Sequence, residues 1–460
     1  MSESKFCDTT PTLCTYLASL LATIIAPKAR VLYVGNVPGA LLGQQENIVV
    51  ARDEQELAAV TATCDYIVIM PQVIGTSRNV QALLASLQRL CTAQTRIVVL
   101  WQAWGWRPSL RLLRCLRLVP QELVVPNGFS AANMKEFLAL ANFETITVDG
   151  GLLFPWNIPL IRWFYNSVIG TLPVVHWFGL MRWAVARPVV CAEKEKVPVT
   201  GQSVSRTVSV IIPCRNERGN IERAVQECPQ MQTRLGQARL EQTRLEIIFV
   251  EGGSSDGTLE EIYRVQKAYP DRNIKVLAQT GKGKRNAVEV GFAAATGDIL
   301  MILDADLTVR PADLVLFYQA LVEGKGECIN GSRLVYPLET GAMQRLNFLV
   351  NHAFSWIVSW LLGQRVTDTL CGTKVFYRRD YERMVQAGNF FGDKDPFGDF
   401  DMLFGAAHAN YKIVNVPICY YARQYGTTQI GEPWSWRRFA YGWVLLKLCW
   451  LGFRKLKVRK

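Results

Sequence analysis

Between Gly297 and Val309 the chain reads GDILMILDADLTV, and this segment restricts the fold more than any other. An unbroken apolar run without alternation describes a strand covered on both faces, which places it at the centre of a helix-flanked sheet. The strand delivers Asp304 and Asp306 to the sheet edge, where carboxylates at i and i+2 point the same way. Like charges that close repel unless a cation neutralises them. One or two carboxylates plus substrate phosphates are an ordinary setting for Mg²⁺ or Mn²⁺. An isolated Asp-Ala-Asp would suit a solvated turn or a helix cap; its position after a buried strand favours the metal.

Two further motifs sit at strand ends, where open α/β sheets put their ligands. In VSVIIPCRNERGNI a strand stops at Pro213, with Asn216 and Glu217 at its mouth. In EIIFVEGGSSDGT a strand ends at Glu251, and the glycines after it let backbone amides approach a ligand closely. GKGKRNAV is weaker, since its basic residues would also suit a solvated helix start.

A chain of 460 residues is expected to form two domains. Residues 1–190 alternate strand-like runs (VLYVG, NIVVA, DYIVIM, RIVVLW, FETITV) with helical ones, which predicts a parallel sheet under helices. Residues 191–206 read as a linker, residues 207–430 as a second α/β domain, and residues 431–460 as a separate basic aromatic tail. Net charge is +12, but eight basic residues and no acid lie in 434–460, so the body is only mildly basic and a nucleic-acid partner is not expected. Twelve scattered cysteines and three histidines argue against a zinc site and suit a reducing cytosol. No signal peptide is evident, and Trp163–Met181, free of formal charge, is expected to be buried or interfacial rather than membrane-spanning.

The order PCRNE, VEGGSSDGT, GKGKRNAV, LDADLT, NGSR, DTLCGTKVF, GDFDMLF and YARQYGTTQI resembles the family 2 glycosyltransferases, closest to the dolichyl- or polyprenyl-phosphate sugar transferase branch. The resemblance implies a GT-A fold, a nucleotide-sugar donor, a divalent metal, and hexosyl transfer with inversion. It implies that Pro213, Arg215, Glu217, Glu251, Lys282 and Arg285 line the nucleotide-sugar site, and that Asp304 and Asp306 bind the metal on the diphosphate. Arg333, Arg345 and Arg423 match basic positions associated with phosphate in that branch. This chain departs from the pattern at three places. Glu251-Gly252 stands where relatives usually have two aspartates, Arg215 replaces a common aromatic, and Thr308 occupies a position often held by a glutamine metal ligand.

Asp399 and Asp401 in GDFDMLF could cap the following helix. In the family this position supplies a carboxylate near the acceptor, which acts as general base toward a hydroxyl; Asp399 is the expected base or orienting group. Asp368 is a second acceptor-side candidate for which a structural role is favoured.

In the first domain, VLYVGNVPGALL resembles the glycine-rich loop of class I S-adenosylmethionine methyltransferases, and the later strands match theirs. The loop departs where it matters: Asn36, Val37 and Pro38 add bulk and remove an amide donor. The short span from Gly39 to Asp65 leaves little room for a further helix and strand, so Asp53 and Glu54 read as a surface loop. A truncated Rossmann-like scaffold without S-adenosylmethionine is therefore expected. In the tail, Phe439, Trp443, Leu446, Trp450 and Phe453 form one apolar helical stripe among basic residues, which predicts binding to a membrane surface. The leading expectation is thus a peripheral enzyme on the cytoplasmic face, acting on a polyprenyl phosphate or lipid-linked glycan. A soluble transferase acting on a polysaccharide or small hydroxylated acceptor, and a non-catalytic scaffold, are the alternatives.

Overall fold

The computed structural model describes residues 11–42, 47–116, 119, 125–154, 156, 158–172, 175–189, 207–237, 244–335, 345–388, 390–425 and 436–457. The expected linker 191–206 lies outside them. The chain divides into two compact units, Met1–Glu195 with Phe453–Lys460, and Lys196–Gly452. The stretch expected as a basic aromatic tail is divided between the two units at Gly452. Its helix Trp436–Leu456 buries Leu445, Leu448 and Cys449, and Gly452 lies against the Phe404 ring. Lys457, beyond that helix, pairs with Asp149 at 2.7 Å.

The first unit is an α/β layer around a six-stranded sheet. Its strands are β1 (Val31–Val34), β2 (Ile48–Ala51), β3 (Tyr66–Ile69), β4 (Arg96–Gln102), β5 (Phe143–Gly151) and β6 (Met181–Pro188), in the order β2-β1-β3-β4-β6-β5. The sheet is mixed rather than parallel, because β6 runs antiparallel to both β4 and β5. The NIVVA run forms β2 as expected, but Asp53 and Glu54 are not in a loop: they start the helix Glu54–Ala59, with Asp53 as its N-cap, accepting from the Glu56 amide at 2.8 Å. Trp163–Met181 forms short helical turns leading into β6, and no helix among the described residues is long and apolar enough to cross a membrane.

The second unit has a seven-stranded mixed sheet of β7 (Thr207–Cys214), β8 (Arg244–Glu251), β9 (Asn273–Ala278), β10 (Ile299–Ile302), β11 (Cys328–Ser332), β12 (Lys374–Tyr377) and β13 (Ile413–Pro417). The order is β13-β11-β12-β10-β7-β8-β9. All four residues of β10 are buried, as their unbroken apolar character requires. Pro213 is tolerated in an interior strand because it lies beyond the last pairing with β10, Ile211 with Ile302. Only β12 runs against the others, pairing antiparallel with β10 and β11. That reversal brings the start of β12 to the sheet end where β7, β8, β9, β10, β11 and β13 finish. Connections from all seven strands therefore open onto one edge.

Candidate active site

At that edge Asp304 and Asp306 follow β10 in a turn rather than in the strand itself: Leu307 donates to the Asp304 carbonyl at 3.1 Å with φ of 51°. The in-and-out alternation survives. Ala305 and Leu307 are buried, while Asp304 and Asp306 reach the site. Each carboxylate already faces a cation. Lys284 lies 2.5 Å from Asp304, and Arg423 lies 2.5 Å from Asp306 and 3.6 Å from Glu217. Thr308, the residue in the usual glutamine place, donates its hydroxyl to Asp306 at 2.8 Å and so fixes that carboxylate's rotamer. Burial alone would raise the Asp304 carboxyl, but the Lys284 charge and hydrogen bond, with Arg333 and Lys374 nearby, hold it below the usual range. Burial likewise disfavours the Lys284 ammonium, yet the charges of Asp304, Asp399 and Asp306 raise it above an ordinary lysine.

Two interlocked loops follow β7 and β8 at the same edge. Asn216, at φ of 57°, accepts from the Ser255 amide at 2.9 Å, and its own amide donates to the Ser254 hydroxyl. Glu251 is buried at the end of β8. Burial pushes its carboxyl up, but hydrogen bonds from Ser254 and Gly253 and the Arg215 charge outweigh that and hold it low. Glu217 is also buried; there burial wins over the Asn220 hydrogen bond and the Arg423 charge, and its carboxyl is raised. Arg215 and Lys282 are exposed, Lys282 at the start of the helix Gly283–Ala294. Arg285 is buried and turns to Glu289 at 2.9 Å and Asp401 at 3.9 Å.

The start of β12 and the helix Asp399–His408 supply a further group of charged residues. Asp399 is 5% exposed and pairs with the fully buried Lys374 at 3.0 Å. Lys374 also donates to the Cys371 carbonyl at 2.7 Å. The helix is capped by neither residue expected from the sequence. The buried Asp395 accepts from the Asp401 amide at 2.8 Å, after Gly398 has turned the chain at φ of 79°. Asp401 accepts from the Phe391 amide. Asp368 is fully enclosed and grips Arg333 through Nε at 2.7 Å and Nη2 at 2.9 Å, with Asn351 as a further donor. The Arg333 guanidinium lies 5.1 Å from the centre of the Tyr420 ring. Arg345 begins the helix Arg345–Leu362, but its side chain lies outside the described residues.

The structure thus gathers Asp304, Asp306, Asp399, Glu217 and Arg423 around one edge, with Glu251 beside them, and turns Arg285 and Asp401 toward each other. Three participants were not singled out from sequence: Lys284, Lys374 and Tyr420. Lys374 carried no readable signal, because the four-residue strand that buries it is too short to show in the sequence pattern. Gly372 is a close-approach glycine. A methyl group there would overlap the Asp304 carboxylate and the Lys284 ammonium. Both are ends of flexible side chains, so Gly372→Ala is expected to leave the melting temperature nearly unchanged. Turnover should fall about a hundredfold, since displacing reacting groups by an ångström costs that much. Paired measurement of melting and sugar transfer checks this.

Residues 209–385 match the sequence profile described as glycosyl transferase family 2. The second unit carries a family 2 glycosyltransferase domain. Glycosyltransferase AglD of Haloferax volcanii is 27% identical over 224 residues, covering 49% of this chain and 34% of that protein. The dolichol-phosphate mannosyltransferase of Pyrococcus furiosus is 36% identical over 129 residues, 28% of this chain and 33% of that protein. The human dolichyl-phosphate beta-glucosyltransferase is 23% identical over 267 residues, 56% and 80% respectively. The chain spans about a third of the length of the first two. Among solved structures, glucosyl-3-phosphoglycerate synthase from Mycobacterium tuberculosis with UDP is similar at 20% identity, covering 53% of this chain and 80% of that one, with a TM-score of 0.37. The match lies within the second unit, and the first unit is not part of it.

Proposed function

We propose that this glycosyltransferase domain has a GT-A fold and moves a sugar, with inversion, from a nucleotide-diphosphate donor to a polyprenyl-phosphate or other lipid-linked acceptor. The observation that carries the reading is the meeting of Asp304, Asp306 and Asp399 with Lys284 and Arg423 at one sheet edge. Two carboxylates that retain a partly open edge fit Mg²⁺ or Mn²⁺ shared with a diphosphate; the described residues provide no group of three or more acidic, cysteine or histidine ligands that would make an all-protein cage. Bound there, such an ion would supply charge stabilisation to the departing nucleotide diphosphate.

The chain's own residues do the rest. Glu251 and the Asn216–Ser255 loop hold the nucleoside, with Pro213, Arg215 and Lys282 around it. Arg423 and Lys284, now on the carboxylates, are placed to follow the phosphates. Asp399 orients the acceptor, or takes its proton where the acceptor is a hydroxyl; Lys374 fixes that carboxylate. A phosphate acceptor is already anionic and needs orientation more than a base. Arg333, held by Asp368, and Arg423 provide positive charge for it. The curated relatives named for dolichyl or dolichol phosphate support this acceptor class.

The helix Trp436–Leu456 supports a membrane-bound enzyme on the cytoplasmic face. Trp443, Leu446 and Trp450 are exposed along one side and Lys447, Arg454 and Lys455 are exposed beside them; the Phe439 side chain lies outside the described residues. In the first unit Val37 is packed into the core and Pro38 offers no amide, which supports a scaffold without S-adenosylmethionine.

A panel of nucleotide sugars assayed with polyprenyl phosphate and Mn²⁺ tests the reading. Transfer to the lipid is expected, and Asp399→Asn should lower it more with a hydroxyl acceptor than with the phosphate. Transfer only to soluble glycans would overturn the acceptor class, and no turnover of any donor would overturn the enzyme reading.

A further inference from the structure

The first unit exposes an apolar face that its own fold holds rigidly in place. Residues 158–172 and 175–178 form the short turns Pro159–Trp163, Phe164–Val168, Ile169–Thr171 and Val175–Phe178. Hydrogen bonds hold them at Asn166 and at Phe178. The Asn166 side chain accepts from the Phe154 amide and donates to its carbonyl, each at 2.9 Å, and the Trp106 indole donates to the Phe178 carbonyl at 2.7 Å. The large side chains nevertheless point to solvent: Leu160 is 83% exposed, Phe178 67% and Trp163 59%. The helix Arg107–Cys115, which starts next to Trp106, buries Leu110 and presents Leu112 and the following Leu116 outward. A folded chain rarely shows this many large apolar side chains on a few short elements without a partner.

Charge selects the partner. Arg111 and Arg114 are exposed on that helix, and no acid occurs between Asp65 and Glu122 or between Asp149 and Glu193. Aromatic and aliphatic side chains among arginines match the headgroup zone of an anionic bilayer. A second copy docking through the same face would bring its arginines against these and be repelled. The short turns are too broken to span a bilayer, so shallow insertion is the mode the geometry allows. We propose that residues 158–172 and 175–178 and the outer side of the helix Arg107–Cys115 form a membrane-interface site in the first unit, one that takes anionic phospholipid. The proposal rests neither on the catalytic reading nor on the stripe at Trp443.

Hydrogen–deuterium exchange on the full chain, with and without vesicles of mixed phosphatidylglycerol and phosphatidylcholine, reads each surface by its own peptides. Peptides covering 158–178 and 107–116 should slow when anionic vesicles are added, and far less with phosphatidylcholine alone. Leu160→Glu with Phe178→Glu, both at exposed positions, should weaken vesicle binding about tenfold while sugar transfer to a soluble acceptor analogue is unchanged. Arg111→Glu with Arg114→Glu should do the same through charge. Exchange in these peptides that ignores vesicles would overturn the proposal. So would protection that rises with protein concentration alone and vanishes in Leu160→Glu, which would make the face a contact between copies.

Discussion

Replacing Asp306 with alanine is expected to lower sugar transfer by roughly a hundred- to a thousandfold, the usual loss when a preorganised electrostatic partner of the transition state is removed. Asp306 is positioned by more than its backbone. Thr308 donates to one of its oxygens and Arg423 faces the other, so the carboxylate is aimed before any donor arrives. Alanine removes the charge and releases Arg423 toward Glu217. Asp306→Asn keeps the shape and the Thr308 contact but not the charge, and it should be nearly as inactive. Steady-state rates at saturating donor, with circular dichroism to show a retained fold, separate this from misfolding. A variant with more than a tenth of the original rate would remove Asp306 from the machinery.

The second large effect falls on stability. Asp368→Ala should destabilise the second unit by about 3–5 kcal/mol, because it leaves the Arg333 guanidinium uncompensated where little water can reach it. Asn351 and the backbone amides of Arg333 and Leu370 lose an acceptor as well. A melting point lowered by about 10 °C is the expected reading. The pH dependence carries a sign. Burial alone would raise the Asp368 carboxyl, but Arg333 and its hydrogen bonds pull it below the ordinary value. A depressed carboxylate gives its full stabilisation above the unfolded value of about 3.9 and loses it as pH falls through the folded one. The gap in stability between the native chain and Asp368→Asn should therefore be widest near neutrality and close on acidification. A gap that is flat with pH would mean the pair contributes by shape, not charge.

How far the sequence could be read follows from its pattern. β7, β8, β9 and β10 were legible because each is an apolar run ending in a polar motif. β12 was not: at four residues, opening with lysine, it has too little periodicity to announce a strand, let alone its direction. That strand decides the site, since its reversal brings Gly372 and Lys374 beside Asp304 and Asp399. β6 was obscured likewise, by arginines at Arg182 and Arg187 inside an otherwise buried strand. On the helix Gly283–Ala294 the donor-side basic residues expected were Lys282 and Arg285, yet Lys284 meets Asp304. Neighbouring helical positions differ by about 100° in direction, and a motif string does not record direction. The paired aspartates were readable as a pair, but the cations already facing them were not, because Arg423 comes from 117 residues further along the chain.

Calorimetric titration of nucleoside diphosphates, with Mn²⁺ and with chelator, into the native chain and into Asp304→Ala with Asp306→Ala tests whether those two acids bind the leaving diphosphate through a divalent ion. The native chain should bind at least one nucleoside diphosphate tightly with Mn²⁺ and weakly without it, and the double variant should bind weakly in both. Equal affinity in chelator and in Mn²⁺, or a double variant that keeps the ion's effect, would contradict it.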